Sequence, residues 1–391
     1  MLFIEIIQII LYIYLGFSSI YIFIFGIASL FNAQNKGEVI NEMRKFAVLI
    51  PGYKEDQVII EVAKDAINQD YPSELYEVVV IADSFKKETL KALGELPIRV
   101  IEVSFELSTK SKALNVAMSQ LSDSNDVAIV LDADNIMETD FISKVNVAFN
   151  KGYIAVQGHR VAKNYNTSFA ILDAISEEVN NKIFRKGHRV LGLSAALIGS
   201  GMAMDYSYFK KMMKSIKAVG GFDKEIELKM LKQKITIEYL NDAIVYDEKV
   251  QKAEVFSNQR KRWLSAQLHY FSRDFATSLK HLFLYANFDY FDKATQFIQP
   301  PRIVLLGLLV LINAFSVFLN SNVWIYLWLT VLAICILTFV ITIPLKFYNI
   351  KTLIAVFTLP KAFVLMLVSL FRIRGANKKF IHTEHGNTNQ G

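Results

Sequence analysis

Two long uncharged stretches, one at each end of the chain, constrain the fold more than any other feature. From Met1 to Phe31 the only charged residue is Glu5, and residues 6–31 supply the ~20 apolar positions a helix needs to cross a bilayer. A cleaved secretory signal would need a basic start and a short apolar core. Met1 to Glu5 carries no Lys or Arg and the apolar run is too long, so the segment reads as a retained span. Lys36, Arg44 and Lys45 follow it, which places the next part of the chain in the cytoplasm and the N-terminus outside. Near the other end, residues 303–319 and 323–343 are apolar and joined by Asn320-Ser321-Asn322. That spacing predicts a helical hairpin with its turn on the outer face, where Trp324, Tyr326 and Trp328 form an interfacial aromatic group. A third stretch, 352–371, is interrupted by Pro360-Lys361 and followed by Arg372, Arg374, Lys378 and Lys379. It reads as a broken interfacial or re-entrant segment that leaves the tail, 372–391, cytoplasmic.

Composition agrees. Apolar residues make up 53% of the 391 and charged residues 20%, against the usual ~45–50% and ~25%. That excludes a disordered chain and argues against an ordinary soluble enzyme. The net charge of +6 fits basic cytoplasmic flanks on a membrane protein better than a nucleic-acid partner. A single cysteine excludes an intrachain disulfide framework and a Cys-rich metal cluster. The expected organisation is an N-terminal membrane helix (1–35), a cytoplasmic domain (36–275), an interfacial segment (276–302) and a C-terminal membrane region (303–371). The cytoplasmic tail closes the chain.

The central part alternates short Val/Ile-rich runs with amphipathic stretches. Residues 46–50, 77–81, 99–103 and 127–131 read as strands; 56–68, 86–93, 111–121 and 139–149 read as helices. Such alternation predicts an α/β fold, a mostly parallel sheet with helices on both faces. Ligands of these sheets bind beyond the carboxyl ends of the strands. Three of those ends are polar: Pro51-Gly52-Tyr53-Lys54-Glu55, Ala82-Asp83-Ser84 and Asp132-Ala133-Asp134-Asn135. One strand-end carboxylate is commonly a helix cap, but three directed to one edge suggest a site. Asp132 and Asp134, one small residue apart, suit a hard divalent cation that keeps positions for phosphate oxygens. No Walker-type loop is present to do that work.

Further along, Lys110-Ser111-Lys112 opens a helix, where lysines oppose the dipole unless they are solvated or face an anion. Gly199-Ser200-Gly201-Met202 reads as a turn or as a close approach to ligand. Asp223-Lys224-Glu225-Ile226-Glu227-Leu228 is a charged helix start. Gln259, Arg262 and Trp263, at offsets of three and four, share one helix face carrying hydrogen-bonding groups, a cation and an aromatic platform. A solvated or lipid-facing helix gives the same pattern.

Taken in order and spacing, Pro51…Glu55, Asp83, Lys112-Ala113-Leu114-Asn115, Asp132-Ala133-Asp134, Gly199-x-Gly201 and Gln259-Arg260-Lys261-Arg262-Trp263 resemble the membrane-bound enzymes of glycosyltransferase family 2. These have a GT-A catalytic domain, and the similarity spans about Lys45 to Trp263 plus the membrane layout. The nearest likeness is to bacterial polysaccharide or surface-glycan synthases related to cellulose and hyaluronan synthases. The resemblance implies that Pro51, Tyr53, Glu55 and Asp83 line the nucleoside pocket and that Lys112 lies near the nucleotide. It implies that Asp132 and Asp134 hold Mg²⁺ or Mn²⁺ against the diphosphate, with Asp134 the direct ligand. Gly199 and Gly201 lie near the acceptor. Gln259, Arg262 and Trp263 match the Q-x-x-R-W motif, which closes over the diphosphate and positions the acceptor sugar. The tail from Lys378 to His385 looks like the cytoplasmic tail of some relatives.

One position departs from the family pattern. Aligning Glu-Asp-x-Glu-Leu on Glu227-Leu228 puts Glu225 where the catalytic Asp is expected, with Asp223 as the alternative base. The implied activity is inverting transfer from a nucleotide sugar, UDP-linked, to a glycan or lipid-linked acceptor at the cell membrane. Single addition to a lipid, as in ceramide glucosyltransferase, and a non-catalytic scaffold are the rival readings. Membership of a biosynthetic complex stays open.

Overall fold

A computed structural model describes residues 2–33, 41–218, 220–251, 253–319 and 322–372. Lys36, the Asn320-Ser321 turn, Arg374 and the tail motif at 378–385 lie outside the described residues. The central domain is built on eight strands: β1 (Phe46–Tyr53), β2 (Tyr76–Asp83), β3 (Arg99–Val103), β4 (Val127–Val130), β5 (Ile136–Met137), β6 (Ala155–Ala162), β7 (Met202–Asp205) and β8 (Glu238–Asp247). They form one sheet in the order β3-β2-β1-β4-β7-β6-β8-β5. β1 pairs in parallel with β2 and β4, β2 with β3, and β6 with β8. β7 runs antiparallel to both β4 and β6, and β5 antiparallel to β8.

The buried apolar strands supply both faces because alternate side chains point opposite ways. Phe46, Val48 and Ile50 of β1 join Val78, Val80, Val127 and Ile129 in one core, covered by the helices Ile59–Ala66 and Phe141–Asn150. Ala47 and Leu49 join Val79, Ile81, Ala128 and Val130 in the other, covered by Lys110–Gln120, Tyr206–Met213 and Phe222–Lys232. Helices therefore lie on both faces, as the alternation predicts. In the β1–β2 register Tyr53 faces Asp83, so the polar strand ends share one edge. β5 to β8 are additions that the sequence reading did not indicate, and β7 matters most for the site. Its antiparallel course sets Gly201 beside Val130, with Gly201 N donating to Val130 O at 2.9 Å. The glycine turn before β7 thus reaches the same edge.

Among the described residues, Glu5–Ala28 and Asn322–Thr342 are helices long and apolar enough to cross a membrane. Arg302–Ser316 is shorter, and Ile350–Val356 with Leu359–Phe371 forms a pair bent by 47°. The bend falls just before Pro360, which sits in the first turn of the second helix. Proline has no N–H to donate and disfavours helical geometry in the residue before it, so the break belongs there.

The helix Leu2–Ala28 is bedded on the central domain rather than standing apart. Leu15, Ile22 and Phe25 pack with Ile171, Ile175, Val179 and Ile183, and with Leu309, Trp328 and Val331. Tyr21 donates to Asp292 Oδ1 at 2.6 Å, and Phe25 stacks on His188 with centroids 3.7 Å apart. Gly187, in the π-helical stretch Asn181–Gly187, meets that helix backbone to backbone: a Cβ there would lie 2.1 Å from Phe25 O. Gly187→Ala must push the two segments apart. The expected loss is about 1–3 kcal/mol, the usual cost of overpacking, read as a lower thermal midpoint of the detergent-solubilised chain. An unchanged midpoint would exclude this contact as a constraint.

Candidate active site

The polar strand ends border a cavity of about 920 Å³. At one end Pro51, Tyr53, Glu55 and Asp83 line it. Lys54 and Ser84 adopt left-handed backbone geometry (φ 57° and 61°), which turns the chain sharply after each strand. Lys54 N donates to Asp83 O at 3.0 Å and Ser84 Oγ donates to the buried Asp83 carboxylate at 2.9 Å. The two turns are thereby fastened together.

Asp132 and Asp134 follow β4 and both line the cavity. Ser200 Oγ accepts from Asp132 N at 2.9 Å. The fully buried Asn135 carboxamide turns its oxygen to Ser200 Oγ (2.8 Å) and its nitrogen to Asp134 Oδ1 (2.9 Å) and Asp247 Oδ1 (3.1 Å). Lys110 Nζ pairs with Asp132 and donates to Gly199 O at 2.7 Å. Gly199 and Gly201 have φ of +79° and +60°, and a Cβ on Gly201 would lie 2.9 Å from Val245 Cγ2. Gln157, fully buried, pins this turn by donating to Ser200 O at 2.9 Å and accepting from Ile198 N at 3.1 Å. Gly199 lines the cavity, whereas Gly201 stands behind it as support. Asn135, Gln157 and Asp247 were not among the expected site residues; only Asn135, next to the D-x-D pair, carried any sequence signal.

Helix phase decides two further positions. Residues two apart on a helix diverge by about 200°. Lys110 therefore faces the cavity while Lys112 points out, donating to Leu107 O at 2.8 Å. Lys112, expected near the nucleotide, does not line the cavity. In the helix Phe222–Lys232 the same spacing separates Asp223 from Glu225. Asp223 lines the cavity opposite Gly199, whose Cβ would lie 3.7 Å from the Asp223 carboxyl carbon. Glu225, expected as the base, turns away to Lys229 (3.1 Å) and Arg273 (3.7 Å) and does not line the cavity. Glu227 is 1% exposed and pairs with Lys293 at 2.7 Å. Burial pushes its carboxyl up, opposed by Lys293.

Gln259, Arg262 and Trp263, on the long helix Ala253–Tyr285, line the cavity together. Burial lowers the Arg262 guanidinium from its ordinary value. Below them a charged floor, which the sequence did not reveal, links four elements. Arg160 donates to Glu177 at 2.8 Å, Arg185 to Glu177 at 3.0 Å, and Lys249 to Asp247 at 2.6 Å and to within 3.7 Å of Glu177.

A D-x-D pair at the strand ends of such a sheet, facing a basic-aromatic helix, is the arrangement of a GT-A transferase domain. The sequence profile described as "Glycosyltransferase like family 2" matches residues 44–266, more than half of the chain, and the chain belongs to this family. It is 25% identical over 267 residues to the beta-monoglucosyldiacylglycerol synthase of Nostoc sp., covering 62% of this chain and 55% of that protein. It is 26% identical over 241 residues to the probable glycosyltransferase YdaM of Bacillus subtilis, covering 58% and 56%. The chain thus spans about half the length of the curated relatives it matches. Its fold is similar to that of the mannosyltransferase PcManGT from Pyrobaculum calidifontis, solved in complex with GDP-Man and Mn²⁺. The TM-score is 0.61 at 15% identity, over 94% of this chain and 98% of that one.

The charged floor makes stability depend on pH. Burial by itself would raise Glu177, but Arg160, Lys249 and Arg185 outweigh it and hold the carboxyl well below its ordinary range. A depressed carboxyl stabilises the fold above the unfolded value, about 4.3, and loses that contribution as pH falls further. Glu177→Gln should cost about 3–5 kcal/mol at pH 7, the usual penalty for breaking a buried ion pair. Its gap to wild type should narrow as pH is lowered through 4. Thermal midpoints of both proteins from about pH 6 down to about pH 2.5 check this, and a gap that stays constant below about 4.3 would show that Glu177 is not held ionised by its partners.

Proposed function

We propose that this chain moves a sugar, with inversion, from a UDP-linked nucleotide-sugar donor to a membrane-associated glycan acceptor in surface-glycan synthesis. The observation that carries the reading is that Asp223 and the Asp132/Asp134 pair line one cavity with Arg262. Pro51, Tyr53, Glu55 and Asp83 hold the nucleoside. Lys110 and Arg262 meet the diphosphate. Asp223, rather than Glu225, accepts the proton of the acceptor hydroxyl. The oxygen attacks the anomeric carbon opposite the departing diphosphate, and Gln259, Arg262 and Lys110 steady the charge that grows there. Trp263 and Gly199 flank the acceptor.

The residues fit a divalent cation. Asn135 orients the Asp134 carboxylate, Asp132 lies beside it, and both line the cavity. Among the described residues no set of three or more His, Cys, Asp or Glu side chains gathers to hold a metal. Mg²⁺ or Mn²⁺ on Asp134 and Asp132 would accordingly keep positions for water and phosphate oxygens. When bound it neutralises the diphosphate and favours its departure.

The two candidate spans and the basic residues Arg44 and Lys45 support a multi-pass protein of the cell membrane with a cytoplasmic catalytic domain. A second reading, one addition to a lipid, is favoured by the similarity to a beta-monoglucosyldiacylglycerol synthase. Product chromatography separates the two: a ladder supports chain extension, a single glycolipid the lipid acceptor. The scaffold reading rested on the Glu225 departure and loses its ground with Asp223 in the cavity.

Release of nucleoside diphosphate by the full chain in nanodiscs tests the assignment. Asp223→Asn should lower kcat about 10³-fold, within the range of general-base catalysis, and Glu225→Gln should stay within about tenfold of wild type. The reverse order would return the base to Glu225. Asp134→Ala and EDTA should each abolish release; activity that survives both would remove the metal from the reaction.

A further inference from the structure

Arg260 lies inside the Gln259–Trp263 stretch, at a position to which the motif assigns no role. On the helix it is turned about 200° from Arg262, and its guanidinium does not enter the cavity wall that Gln259, Arg262 and Trp263 form. It is 8% exposed and donates through Nη2 to Asp173, which is 9% exposed. The same guanidinium lies over the Trp263 ring at 4.2 Å and over Phe256 at 4.9 Å. Its Nε is buried without a partner, so one carboxylate and two rings hold the group. Asp173 belongs to the helix Ser168–Asn180, whose Ile171, Ile175 and Val179 pack against Leu15, Ile22 and Phe25 of the N-terminal membrane helix. A single ion pair therefore joins the helix carrying Trp263 to the helix bedded on the membrane region.

We propose that Arg260 is a positioning residue for Trp263. Asp173 fixes the guanidinium, and its planar face sets the angle of an indole that is itself 37% exposed at the cavity. An exposed aromatic ring has rotamers to lose. A stacked, paired arginine selects one of them before the acceptor arrives, which lowers the ordering cost of binding. Lysine keeps the charge but lacks the planar face and the fork that meets a carboxylate. The proposal rests on the reading of Trp263 as the acceptor platform. The donor end, at β1, β2 and β4, is built without Arg260.

The test uses the full chain in nanodiscs, labelled with 5-fluorotryptophan at its three tryptophans. The Trp263 ¹⁹F resonance is assigned by its loss in Trp263→Phe. In Arg260→Gln and Asp173→Asn this resonance should shift and broaden, while those of Trp324 and Trp328 stay in place and report an intact fold. Arg260→Lys should leave the fold intact and Trp263 still displaced. Exchanging the pair, Arg260→Asp with Asp173→Arg, restores the charges but moves the guanidinium off the indole, so Trp263 should remain displaced. With 1,2-dioleoylglycerol as acceptor, Arg260→Gln should raise the acceptor KM about tenfold and leave the KM for UDP-glucose within twofold. An unmoved Trp263 resonance in Arg260→Gln and Asp173→Asn overturns the proposal, as does recovery of the wild-type resonance in the exchanged pair. So does an equal rise of both KM values, which marks a structural strut. A displaced Trp263 resonance in a chain that does not glucosylate 1,2-dioleoylglycerol would uphold the positioning role and remove the lipid-acceptor reading.

Discussion

The ionised Glu177 is the point on which the rest of the architecture hangs. It is buried among Arg160 of β6, Arg185 of the π-helical stretch and Lys249 just beyond β8. Taking these charges out of water costs several kcal/mol per ion, and the cost is recovered only while every partner is in place. The cluster ties β6, the end of β8, the helix Ser168–Asn180 and the π-helical stretch to one point. Gly187 and Phe25 continue the same connection to the apolar helix Leu2–Ala28. The cavity is therefore tied to that apolar helix through its own floor.

Above that floor the cavity brings opposite charges together. Lys110 pairs with Asp132, and Arg262 and Asp134 line the same cavity. The proposed diphosphate and divalent cation would complement such a site, each sign meeting its counterpart in a setting partly shielded from water, where electrostatic interactions gain strength. Asn135 and Ser200 serve this end by spending their hydrogen bonds on holding Asp132 and Asp134 still. Fixed dipoles and charges need no reorganisation as charge develops on a leaving group.

The long helix Ala253–Tyr285 lines the site and packs on the bent C-terminal pair, with Phe256, Leu264 and Met366 sharing a core. Gln259, Arg262 and Trp263 face inward while Arg260 faces Asp173. Motif and anchor are thus interleaved within five residues: Arg260 is turned away from Arg262 but shares a helix face with Trp263, three residues on, and lies over its ring.

Much of the architecture was legible in the chain itself. Apolar length marked the two candidate spans and Pro360 marked the bent pair, because bilayer thickness and proline geometry act locally. Val- and Ile-rich runs marked the first four strands, and parallel topology alone brings their polar ends to one edge. Antiparallel β7 and the pairing of β6 with β8 were not legible, since those contacts join residues far apart in sequence. The same applies to Asn135, Gln157 and the Glu177 cluster, whose partners lie on different elements. At Lys110 versus Lys112, and at Asp223 versus Glu225, the sequence placed the charges within one helical turn and no finer. Which of each pair faces the cavity depends on where the helix begins and how it packs on the sheet. Local chemistry in the sequence determined the inventory of the site, and only tertiary packing decided which carboxylate and which lysine face into it, because helix phase is fixed by contacts with distant residues.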